Sequence, residues 1–423
     1  MQERRSVVNG TTHVVPVGSV PPLGEVPRQM YAQVVRPSRY GSPRTAFVTE
    51  LVDVPPIGAD EVLVAVLAAG INYNNVWAAR GHPVDQVAVR QKRGEPYDFH
   101  IGGSDLSGIV YAAGDDVTGI AIGDEVVIHH GVWDADDPWV LAGRDPMIAP
   151  SARIWGYDTN FGSFGQFSRV QAHQVLPKAT HLSWEQAAAP TLVGTTAYRM
   201  LFGWAPNVVR PDDVVLIWGG SGGLGTQATQ LVRHAGGIPV AVVSDAERGR
   251  FAEKHGAIGW IDRREFDHWG IPPRIDDTAG QKVWTASARA FGKRIWELVG
   301  ARKDPAIVFE HPGQATVATS ILVCEAGGMV VICAGTTGFD AMVDLRYHWT
   351  RQKRFQGSHG SNDEQARAYN DLVCAGAIDP GLGRVVSFNE IPDAHEAMSR
   401  GVDVFGNVVA LVGAQKPGLG RRD

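Results

Sequence analysis

The hydrophobic positions of the chain follow two patterns, and the change occurs near residue 212. Before this point, apolar runs such as EVLVAVLAAG (61–70) and GDEVVIHHG (123–131) are separated by Gly and Asp turns, which predicts a strand-rich region. Residues 180–202 then predict a helix. After residue 212, apolar strands such as DDVVLIWGG (212–220) and GGMVVICAG (327–335) alternate with helical segments, which is typical of a parallel βαβ sheet. The sequence therefore predicts an α/β protein.

The same patterns give the expected domain boundaries. Residues 1–28 carry Gly, Pro, Val and polar residues without periodicity, and we expect them to form an N-terminal arm. Residues 29–192 and 376–423 are assigned to a strand-rich catalytic and substrate domain, and residues 193–375 to a domain with the parallel sheet. Within the first domain, residues 130–165 form a long irregular stretch, and loops of this length commonly carry function.

Composition narrows the class of protein. The chain has 423 residues, too many for one ordinary core, which favours two domains. Apolar residues make up 44% and charged residues 20%, which is the balance of a globular protein. The net charge of −6 argues against a nucleic-acid surface. No apolar run approaches the about 18 residues of a membrane span, and the N-terminus lacks a signal-peptide pattern. Three cysteines occur, Cys324, Cys333 and Cys374, without a C-x-x-C pair. We therefore expect a reduced, cytoplasmic protein without nucleic-acid or membrane partners.

A glycine-rich loop follows the first strand of the parallel region. Its spacing is G-x-G-x-x-G, with an apolar strand before it and a helix and a second strand after it. In this context, glycines let the backbone approach a pyrophosphate at the positive N-terminus of the helix. The residues expected to contact a dinucleotide here are Gly220, Ser221, Gly222, Gly223, Leu224 and Gly225.

The end of the second parallel strand indicates which nicotinamide cofactor binds. Enzymes that use NADH place a carboxylate there to bind the ribose 2′-hydroxyl group. Here Ser244 stands at that position, with Asp245 one residue further on, and Ser244 leaves room for a 2′-phosphate. Arg248 is a candidate partner for this phosphate, although an arginine on an exposed helix commonly contacts only solvent. NADPH is therefore favoured over NADH.

Three asparagines follow the buried run at residues 61–70. Asn72, Asn74 and Asn75 lie in the segment INYNNVW, and buried amides need hydrogen-bond partners. Asparagines often cap turns through their own side chains. We expect this role for Asn72 and Asn75.

The order of domains and five motifs resemble the medium-chain dehydrogenase/reductase superfamily. The motifs are AGINYNNVW, GGSDLSGIV, GDEVV, GGSGGLG and GGMVVICAG. This resemblance implies a GroES-like β-rich catalytic domain and a Rossmann domain with a doubly wound parallel sheet. The zinc alcohol dehydrogenases of the superfamily have a Cys near the first motif and G-H-E in the second, where this chain has asparagines and Ser104-Asp105.

The donor types in these motifs argue against a metal. Zinc prefers Cys, His and carboxylate ligands, and the Cys and His are both replaced. Asp105 and the His129-His130 pair remain possible ligands, but paired histidines after a strand are more often structural. We therefore expect no metal. Without a Lewis acid, a conjugated C=C bond is a better hydride acceptor than an isolated carbonyl group.

Longer stretches resemble one family more specifically. NYNNVW, IWGYDTNFGSFGQF, IVFEHPG and RYHWTRQKRFQGSH, within about residues 30–412, are similar to the crotonyl-CoA carboxylase/reductase family. The resemblance implies that NADPH gives a hydride to C3 of a 2-enoyl-CoA, crotonyl-CoA or longer. The C2 enolate then attacks CO2 and yields an alkylmalonyl-CoA. The resemblance also implies a homo-oligomer, a tetramer or a dimer.

The family resemblance assigns catalytic residues as well. It implies that Asn74, Tyr157, Asp158 and His359 hold CO2, with His359 donating a hydrogen bond and Asp158 holding a water that does the same. The family commonly has Glu where this chain has Asp158, whose side chain is one methylene shorter. This difference bears on the efficiency of carboxylation and not on the reduction.

Further residues are expected near the cofactor and the substrate. Thr195 and Tyr198 are expected on the nicotinamide or phosphate side, and His311, Cys333 and Ala334 close to the nicotinamide. Cys333 is expected to serve packing and not to act as a nucleophile.

The basic run in the second domain has two interpretations. It either binds the CoA phosphates or forms a solvated face, and its residues are Arg351, Lys353 and Arg354.

Three other functions remain open from the sequence. The first is an enoyl-thioester reductase that protonates the enolate, and the second is a zinc-free quinone oxidoreductase. The third is a protein that binds NADPH without turnover.

Overall fold

The computed structural model describes residues 10–11, 14–402 and 405–422, and these form two compact units. The first unit contains the described residues up to Thr195, Gly360–Gly376, and those from Pro380 onward; the second contains Thr196–His359 and Ala377–Asp379. Residues 360–375, which the sequence pattern assigned to the nucleotide-binding domain, thus lie in the first unit. The reason is local, because Asp363 is hydrogen-bonded to His129 and His173 of that unit.

The strands, in chain order, are β1 (Gly10–Thr11), β2 (Val26–Pro27), β3 (Gln29–Val35), β4 (Phe47–Asp53), β5 (Glu61–Ile71), β6 (His100–Ile101), β7 (Leu106–Ala113), β8 (Glu125–Ile128), β9 (Gly131–Val132), β10 (Arg153–Ile154), β11 (Phe167–Gln171), β12 (Val175–Pro177), β13 (Val214–Trp218), β14 (Ile238–Val243), β15 (Gly259–Asp262), β16 (Ile307–Glu310), β17 (Met329–Ile332), β18 (Arg354–Gly357), β19 (Leu382–Ser387) and β20 (Asn407–Leu411).

The α-helices are α1 (Pro43–Ala46), α2 (Tyr73–Arg80), α3 (Gln86–Lys92), α4 (Pro138–Leu141), α5 (Trp184–Ala187), α6 (Thr191–Phe202), α7 (Gly223–His234), α8 (Ala246–Lys254), α9 (Thr278–Val299), α10 (Val317–Val323), α11 (Leu345–Trp349), α12 (Asp363–Cys374) and α13 (Ile391–Ser399). Among the described residues, no helix combines the length and apolar character needed to cross a membrane.

The first unit is built around β5. Ten of its eleven residues are buried, and it pairs antiparallel with β7, β11 and β20. The sheet has seven strands: six follow the order β12-β8-β7-β5-β20-β19, and β11 pairs with β5 outside this path. A second sheet has the order β4-β3-β6. Because β5 is covered on both faces, its sequence is a continuous apolar run and does not alternate. The end of β5 leads directly into α2, which carries the three asparagines.

The expected N-terminal arm is described only in part. Residues 1–9 and 12–13 lie outside the described residues. The described part belongs to the first unit, where Gly18 N–H donates to Val412 O at 2.7 Å and Tyr111 Oη donates to Pro21 O at 2.6 Å.

The second unit has a six-stranded parallel sheet with the order β15-β14-β13-β16-β17-β18. Numbered within the sheet, this is the order 3-2-1-4-5-6 of the doubly wound dinucleotide-binding fold. The strand order reverses between β13 and β16, and ligands of such sheets bind at the carboxyl ends of the strands at this point.

One helix prediction needs correction. Residues 180–202 do not form one helix but two, α5 and α6. Pro190 separates them, because proline lacks a backbone N–H and disfavours the helical conformation of the residue before it.

Candidate active site

The first unit contains a buried carboxyl group, that of Asp105, directly before β7. Asp105 has no exposed surface, and its Oδ2 accepts a hydrogen bond from Asn72 Nδ2 at 2.7 Å. Its Oδ1 accepts from Leu192 N–H at the start of α6. Burial raises the pKa of Asp105 well above its usual value, and the two hydrogen bonds oppose this shift. Asn72 precedes α2 but forms no side-chain cap, so the predicted capping role is wrong.

Asn74 and Asn75 form a second group of hydrogen bonds at the start of α2. Asn75 Nδ2 donates to Asn74 Oδ1 at 2.9 Å, and Asn74 Nδ2 donates to Ser104 Oγ at 2.9 Å. Asn75 Oδ1 accepts from the Gly103 N–H at 3.2 Å. Asn75 therefore does not cap the turn either. It connects α2 with the loop of residues 102–105.

Tyr157 and Asp158 lie in a tight turn after β10. Asp158 Oδ2 accepts from the Ile154 N–H at 2.7 Å, and its Oδ1 accepts from Gln86 Nε2 at 3.1 Å. Gln86 also contacts the Tyr157 hydroxyl group, while the Tyr157 side chain packs against the cluster of Trp133, Met147 and Ile154. Burial raises the pKa of Tyr157 above its usual value. Both residues are thus held by α3, and no sequence pattern predicts this connection.

Glycines allow one loop, residues 102–105, to contact both the asparagines of α2 and the turn that carries Tyr157 and Asp158. Gly156, with φ of 69°, lies so close to Gly103 O that a Cβ atom there would overlap it. A Cβ atom at Gly102 would overlap Asn75 Oδ1. The loop of residues 102–105 therefore contacts both the asparagines and the Tyr157 turn, because glycines permit the close approach.

The fourth residue predicted for this site, His359, belongs to the second unit. It is exposed and follows the edge strand β18, where Ser358 N–H donates to Ile332 O at 2.8 Å.

Three side chains with possible metal ligands meet elsewhere in the first unit. His129 Nε2 and His173 Nδ1 lie 2.8 and 2.9 Å from Asp363 Oδ1. The Gly131 N–H donates to His129 Nδ1 at 3.2 Å, so the proton of a neutral His129 resides on Nε2. Burial lowers the pKa of His129, which favours this neutral form. The Nε2 atom therefore donates to Asp363, and the group is a hydrogen-bonded cluster that fixes the start of α12.

The glycine-rich loop connects β13 with α7 in the second unit. Gly220 packs against Ala241 of β14, and Gly225 packs against Gly219 O, so neither position has room for a side chain. Gly222 immediately precedes α7 and has no neighbour closer than 3.5 Å to its added Cβ atom. The first N–H groups of a helix lack partners within the helix. The loop thus offers open space and backbone donors to a phosphate group.

The end of β14 has a polar group centred on Asp245. Asp245 Oδ1 accepts from the Arg248 N–H at 2.9 Å, and its Oδ2 lies 3.2 Å from Arg248 Nε. These contacts with Arg248 lower the pKa of Asp245. The Ser244 hydroxyl group is 3.2 Å from Asp245 Oδ2. The Arg248 side chain is only 18% exposed, so it is oriented by its neighbours and is not a freely solvated helix residue.

At the carboxyl end of β16, a buried glutamate was missed by the sequence analysis. Glu310 Oε1 accepts from Gly313 N–H and Thr316 Oγ1, and Oε2 accepts from Ser320 Oγ at 2.6 Å. Burial raises the pKa of Glu310 to about 7. Its position inside FEHPG, directly before a predicted site histidine, was the only available signal.

The predicted nicotinamide residues lie at the same edge of this sheet. His311 Nε2 donates to Trp218 O at 3.1 Å, and a Cβ atom at Gly219 would overlap this same nitrogen. Burial lowers the pKa of His311 to about 4 and raises that of Cys333 to about 12. A thiol with so high a pKa is a poor nucleophile. Cys333 and Ala334 directly follow β17, the strand next to β16.

Two predicted residues lie on α6. The Thr195 hydroxyl group donates to Thr191 O at 2.7 Å inside the helix, which leaves only its lone pairs for a ligand. The Tyr198 ring packs against Phe202, with the ring centroids 4.9 Å apart.

The basic run does not form one phosphate-binding surface. Lys353 is buried and donates to Ile321 O at 2.5 Å, at the C-terminal end of α10. The prediction that Lys353 contacts the CoA phosphates is therefore wrong, because its ammonium group already binds a helix end. Arg354 donates to Trp204 O at 3.0 Å. Arg351 is exposed and remains a candidate.

Comparison with known proteins decides the family. Residues 58–180 match the alcohol dehydrogenase GroES-like domain, and residues 223–374 match the zinc-binding dehydrogenase family. The crotonyl-CoA carboxylase/reductase of Cereibacter sphaeroides is 47% identical over 403 residues, which cover 95% of this chain and 92% of the relative. The chain belongs to the crotonyl-CoA carboxylase/reductase family. This result confirms the resemblance seen in the sequence and the expected GroES-like and Rossmann architecture.

Other crotonyl-CoA carboxylase/reductases and related enzymes agree. The crotonyl-CoA reductase of Streptomyces collinus is 38% identical, over 91% of this chain and 86% of the relative. The solved structure of the crotonyl-CoA carboxylase/reductase AntE in complex with NADP is 53% identical, with a TM-score of 0.92 and coverage of 95% of this chain and 99% of that one. The 2-octenoyl-CoA carboxylase reductase CinF, in complex with NADP and 2-octenoyl-CoA, is 36% identical, with a TM-score of 0.85 and coverage of 94% and 91%.

Proposed function

We propose that the protein catalyses the NADPH-dependent reductive carboxylation of a 2-enoyl-CoA. The nicotinamide gives a hydride to C3, and the electron pair of the C=C bond moves to C2, where the thioester carbonyl group delocalises it as an enolate. C2 then forms a bond to the carbon of CO2, and one C–O π bond becomes the carboxylate. The products are NADP+ and an alkylmalonyl-CoA, and no proton is taken up or released.

The observation that carries the proposal is the Asn74–Ser104 hydrogen bond at the end of β5. Zinc dehydrogenases resemble this chain here but have metal ligands near these positions, whereas this chain has neutral amide and hydroxyl groups. Neutral donors suit CO2, which is uncharged and a weak acceptor. Preorganised donors stabilise charge that develops in the transition state without reorganising solvent. The family resemblance assigns Asn74 to CO2, and its neutral amide donor suits that role.

The other CO2-binding roles, like that of Asn74, rest on the family resemblance. Each oxygen of Asp158 already accepts one hydrogen bond from the protein, and a carboxylate oxygen has room for a second. Asp158 can thus hold a water molecule while closing its turn. Tyr157 shields the turn, and His359 is assigned as a donor to a CO2 oxygen.

The cofactor assignment is supported by the second unit. The loop Gly220–Gly225 receives the pyrophosphate, while Ser244 and Arg248 receive the 2′-phosphate of NADPH. A guanidinium group held at 18% exposure loses less side-chain entropy on binding a phosphate than a free one. His311, Cys333 and Ala334 lie at the carboxyl end of the sheet, where the nicotinamide of such folds binds.

The family resemblance also favours a homo-oligomer, a tetramer or a dimer. Within the described part of the second unit, Phe339, Leu345, Trp349 and Phe355 are 46–65% exposed. A contiguous patch of exposed apolar side chains is typical of an interface, and these four residues are the candidates for one. Light scattering after size-exclusion chromatography measures the state directly.

The function is tested by measuring NADPH oxidation with crotonyl-CoA and 2-octenoyl-CoA, with and without bicarbonate and carbonic anhydrase, and by mass spectrometry of the products. A mass gain of one CO2 over the reduced acyl-CoA supports the proposal. A product that is only the saturated acyl-CoA would identify a plain reductase and attribute the loss to the shorter Asp158. No oxidation with either substrate would favour a quinone oxidoreductase or a protein that binds NADPH without turnover.

A further inference from the structure

The direction of three consecutive side-chain hydrogen bonds is fixed by one backbone group. A backbone N–H can only donate, so the atom of Asn75 facing Gly103 N–H, 3.2 Å away, is its oxygen. The other end of the Asn75 amide, Nδ2, then faces Asn74 Oδ1 at 2.9 Å. Asn74 must consequently direct its own Nδ2 at Ser104 Oγ, also at 2.9 Å. Amide orientations usually have to be assigned from such networks, and here each step allows one solution.

The network leaves Asn74 with one particular donor. Its Oδ1 is occupied by Asn75, and one of its two Nδ2 hydrogens is occupied by Ser104. The second Nδ2 hydrogen has no partner among the described residues. If the amide turned by 180°, this hydrogen would exchange places with an oxygen lone pair, which repels the oxygens of CO2.

The surroundings make this orientation rigid. Asn75 and Ser104 have no exposed surface, so water cannot replace either partner without a cavity opening. A side chain at Gly102 would overlap Asn75 Oδ1, and Gly103 has a φ of 98°, which few other residues adopt. The loop is thus built so that the Asn75 amide can reach the backbone.

We infer that Asn75 and Ser104 are positioning residues that hold the Asn74 amide with an N–H directed at CO2, an inference that rests on the proposed function. CO2 competes with protons for the same enolate. A donor fixed in advance favours CO2 because no reorganisation is required when the C2 carbanion forms. Loss of either positioning residue leaves hydride transfer intact but lets a larger share of the enolate be protonated.

The test compares the ratio of carboxylated to reduced product, which does not depend on how much enzyme is correctly folded. Ser104→Ala removes one acceptor and a single oxygen atom. Asn75→Asp replaces the donor to Asn74 Oδ1 with an oxygen and so favours the turned amide. We expect each substitution to raise the share of reduced product by about fivefold, the effect of one hydrogen bond.

Two buried residues nearby provide matched controls. Ser107 lies on β7, three residues after Ser104, and donates to Trp184 O, so Ser107→Ala removes a buried hydroxyl group without touching Asn74. Asn160 accepts from the Ile101 N–H through its oxygen, so Asn160→Asp adds a carboxylate to the same domain. Both controls should keep the wild-type product ratio.

The outcomes separate the inference from the proposed function. If Asn74→Leu changes the product ratio while Ser104→Ala and Asn75→Asp both retain the wild-type ratio, the positioning role is wrong and the function stands. If Ser104→Ala shifts the ratio and Ser107→Ala does not, the inference is supported even when Asn75→Asp fails to fold. A wild-type protein that forms only reduced product overturns the proposed function and the inference with it.

Discussion

The side-chain amide of Asn72 and the carboxyl group of Asp105 are joined by a hydrogen bond of 2.7 Å inside the first unit. Asp105 has no exposed surface, and its second oxygen is held by the start of α6. This pair connects the end of β5, the start of β7 and the first turn of α6. Its role is therefore to hold three elements of the candidate site together.

The first prediction concerns this pair and pH. Burial raises the pKa of Asp105, so the folded protein keeps a proton that the unfolded chain releases above about pH 4. The stability from this proton is complete below that pH and is lost as pH rises through the raised pKa. Asp105→Asn cannot lose a proton. From pH 5 to pH 8 we therefore expect its free energy of unfolding to rise relative to that of the wild type. Urea unfolding at pH 5 and at pH 8 measures these free energies.

A control for this prediction is Asp340→Asn, which changes an exposed carboxylate in the second unit. It should follow the wild type at both pH values. If the free energies of unfolding of Asp105→Asn and the wild type changed equally between pH 5 and pH 8, Asp105 would be ionised in the folded protein.

The second prediction concerns the CO2-binding asparagine. Asn74→Leu removes the amide but keeps a side chain of similar size, so NADPH oxidation should continue. The share of simply reduced product should rise about tenfold, because the variant loses the donor that stabilises the developing carboxylate by about 1.4 kcal/mol. Mass spectrometry of the product measures the share. Carboxylation at the wild-type ratio would exclude Asn74 from the CO2 site.

The third prediction tests the choice of cofactor. Arg248→Ala should raise KM for NADPH by about tenfold or more, since a hydrogen bond to a charged group contributes about 1.5–3 kcal/mol. KM for NADH should change little, because NADH lacks the 2′-phosphate. Arg250→Ala, two residues further along the same helix, is the matched control. An equal change for both cofactors would remove Arg248 from the phosphate site.

The fourth prediction separates two residues of the basic run. Lys353→Met should leave KM for the enoyl-CoA unchanged but lower the free energy of unfolding by about 1–3 kcal/mol, because two carbonyl groups of α10 lose their donor. Arg351→Ala should raise KM for the enoyl-CoA without lowering stability. Steady-state kinetics and urea unfolding of both variants decide the matter. An unchanged KM for Arg351→Ala would leave it as part of a solvated face.

The fifth prediction concerns acid stability. Burial alone would raise the pKa of Asp363, but hydrogen bonds from His129 and His173 outweigh it and hold the pKa well below its usual value. The resulting stability is present above about pH 4 and is lost as pH falls through the lowered pKa. Asp363→Asn lacks this contribution. Its deficit relative to wild type should thus be largest near neutral pH and shrink towards pH 3.

Asp371→Asn is the control for the acid prediction, because Asp371 is an exposed residue of the same helix. It should follow the wild type throughout the titration. A deficit of Asp363→Asn that stayed constant with pH would mean that the cluster is not held by charge.

The local patterns of the sequence identify the elements well where one face or the whole strand is buried. The runs of β5 and β13 are continuous and apolar because both strands lie in the middle of a sheet. The glycine spacing at 220–225 identifies the nucleotide loop because a close backbone approach tolerates no side chain. Pro190 was overlooked as a break, although proline is a strong local signal.

The local sequence does not identify the hydrogen-bond partners of polar side chains. Asn72 and Asn75 looked like turn caps, and Lys353 looked like part of a basic surface, because a sequence shows only neighbours along the chain. The structure pairs Asn72 with Asp105, which is 33 residues away, and Lys353 with a helix end about 30 residues away.

The sequence by itself determined the class of fold, the strand–glycine–helix nucleotide loop and the family, since these depend on local periodicity and on runs of residues. Tertiary structure alone decided which polar groups are buried, in which direction the Asn74 amide points, and why Asp105, Glu310 and Asp363 have shifted pKa values. The physical reason is that hydrogen bonding and desolvation act through space. Both depend on segments that β-pairing and glycine contacts bring together from distant parts of the chain.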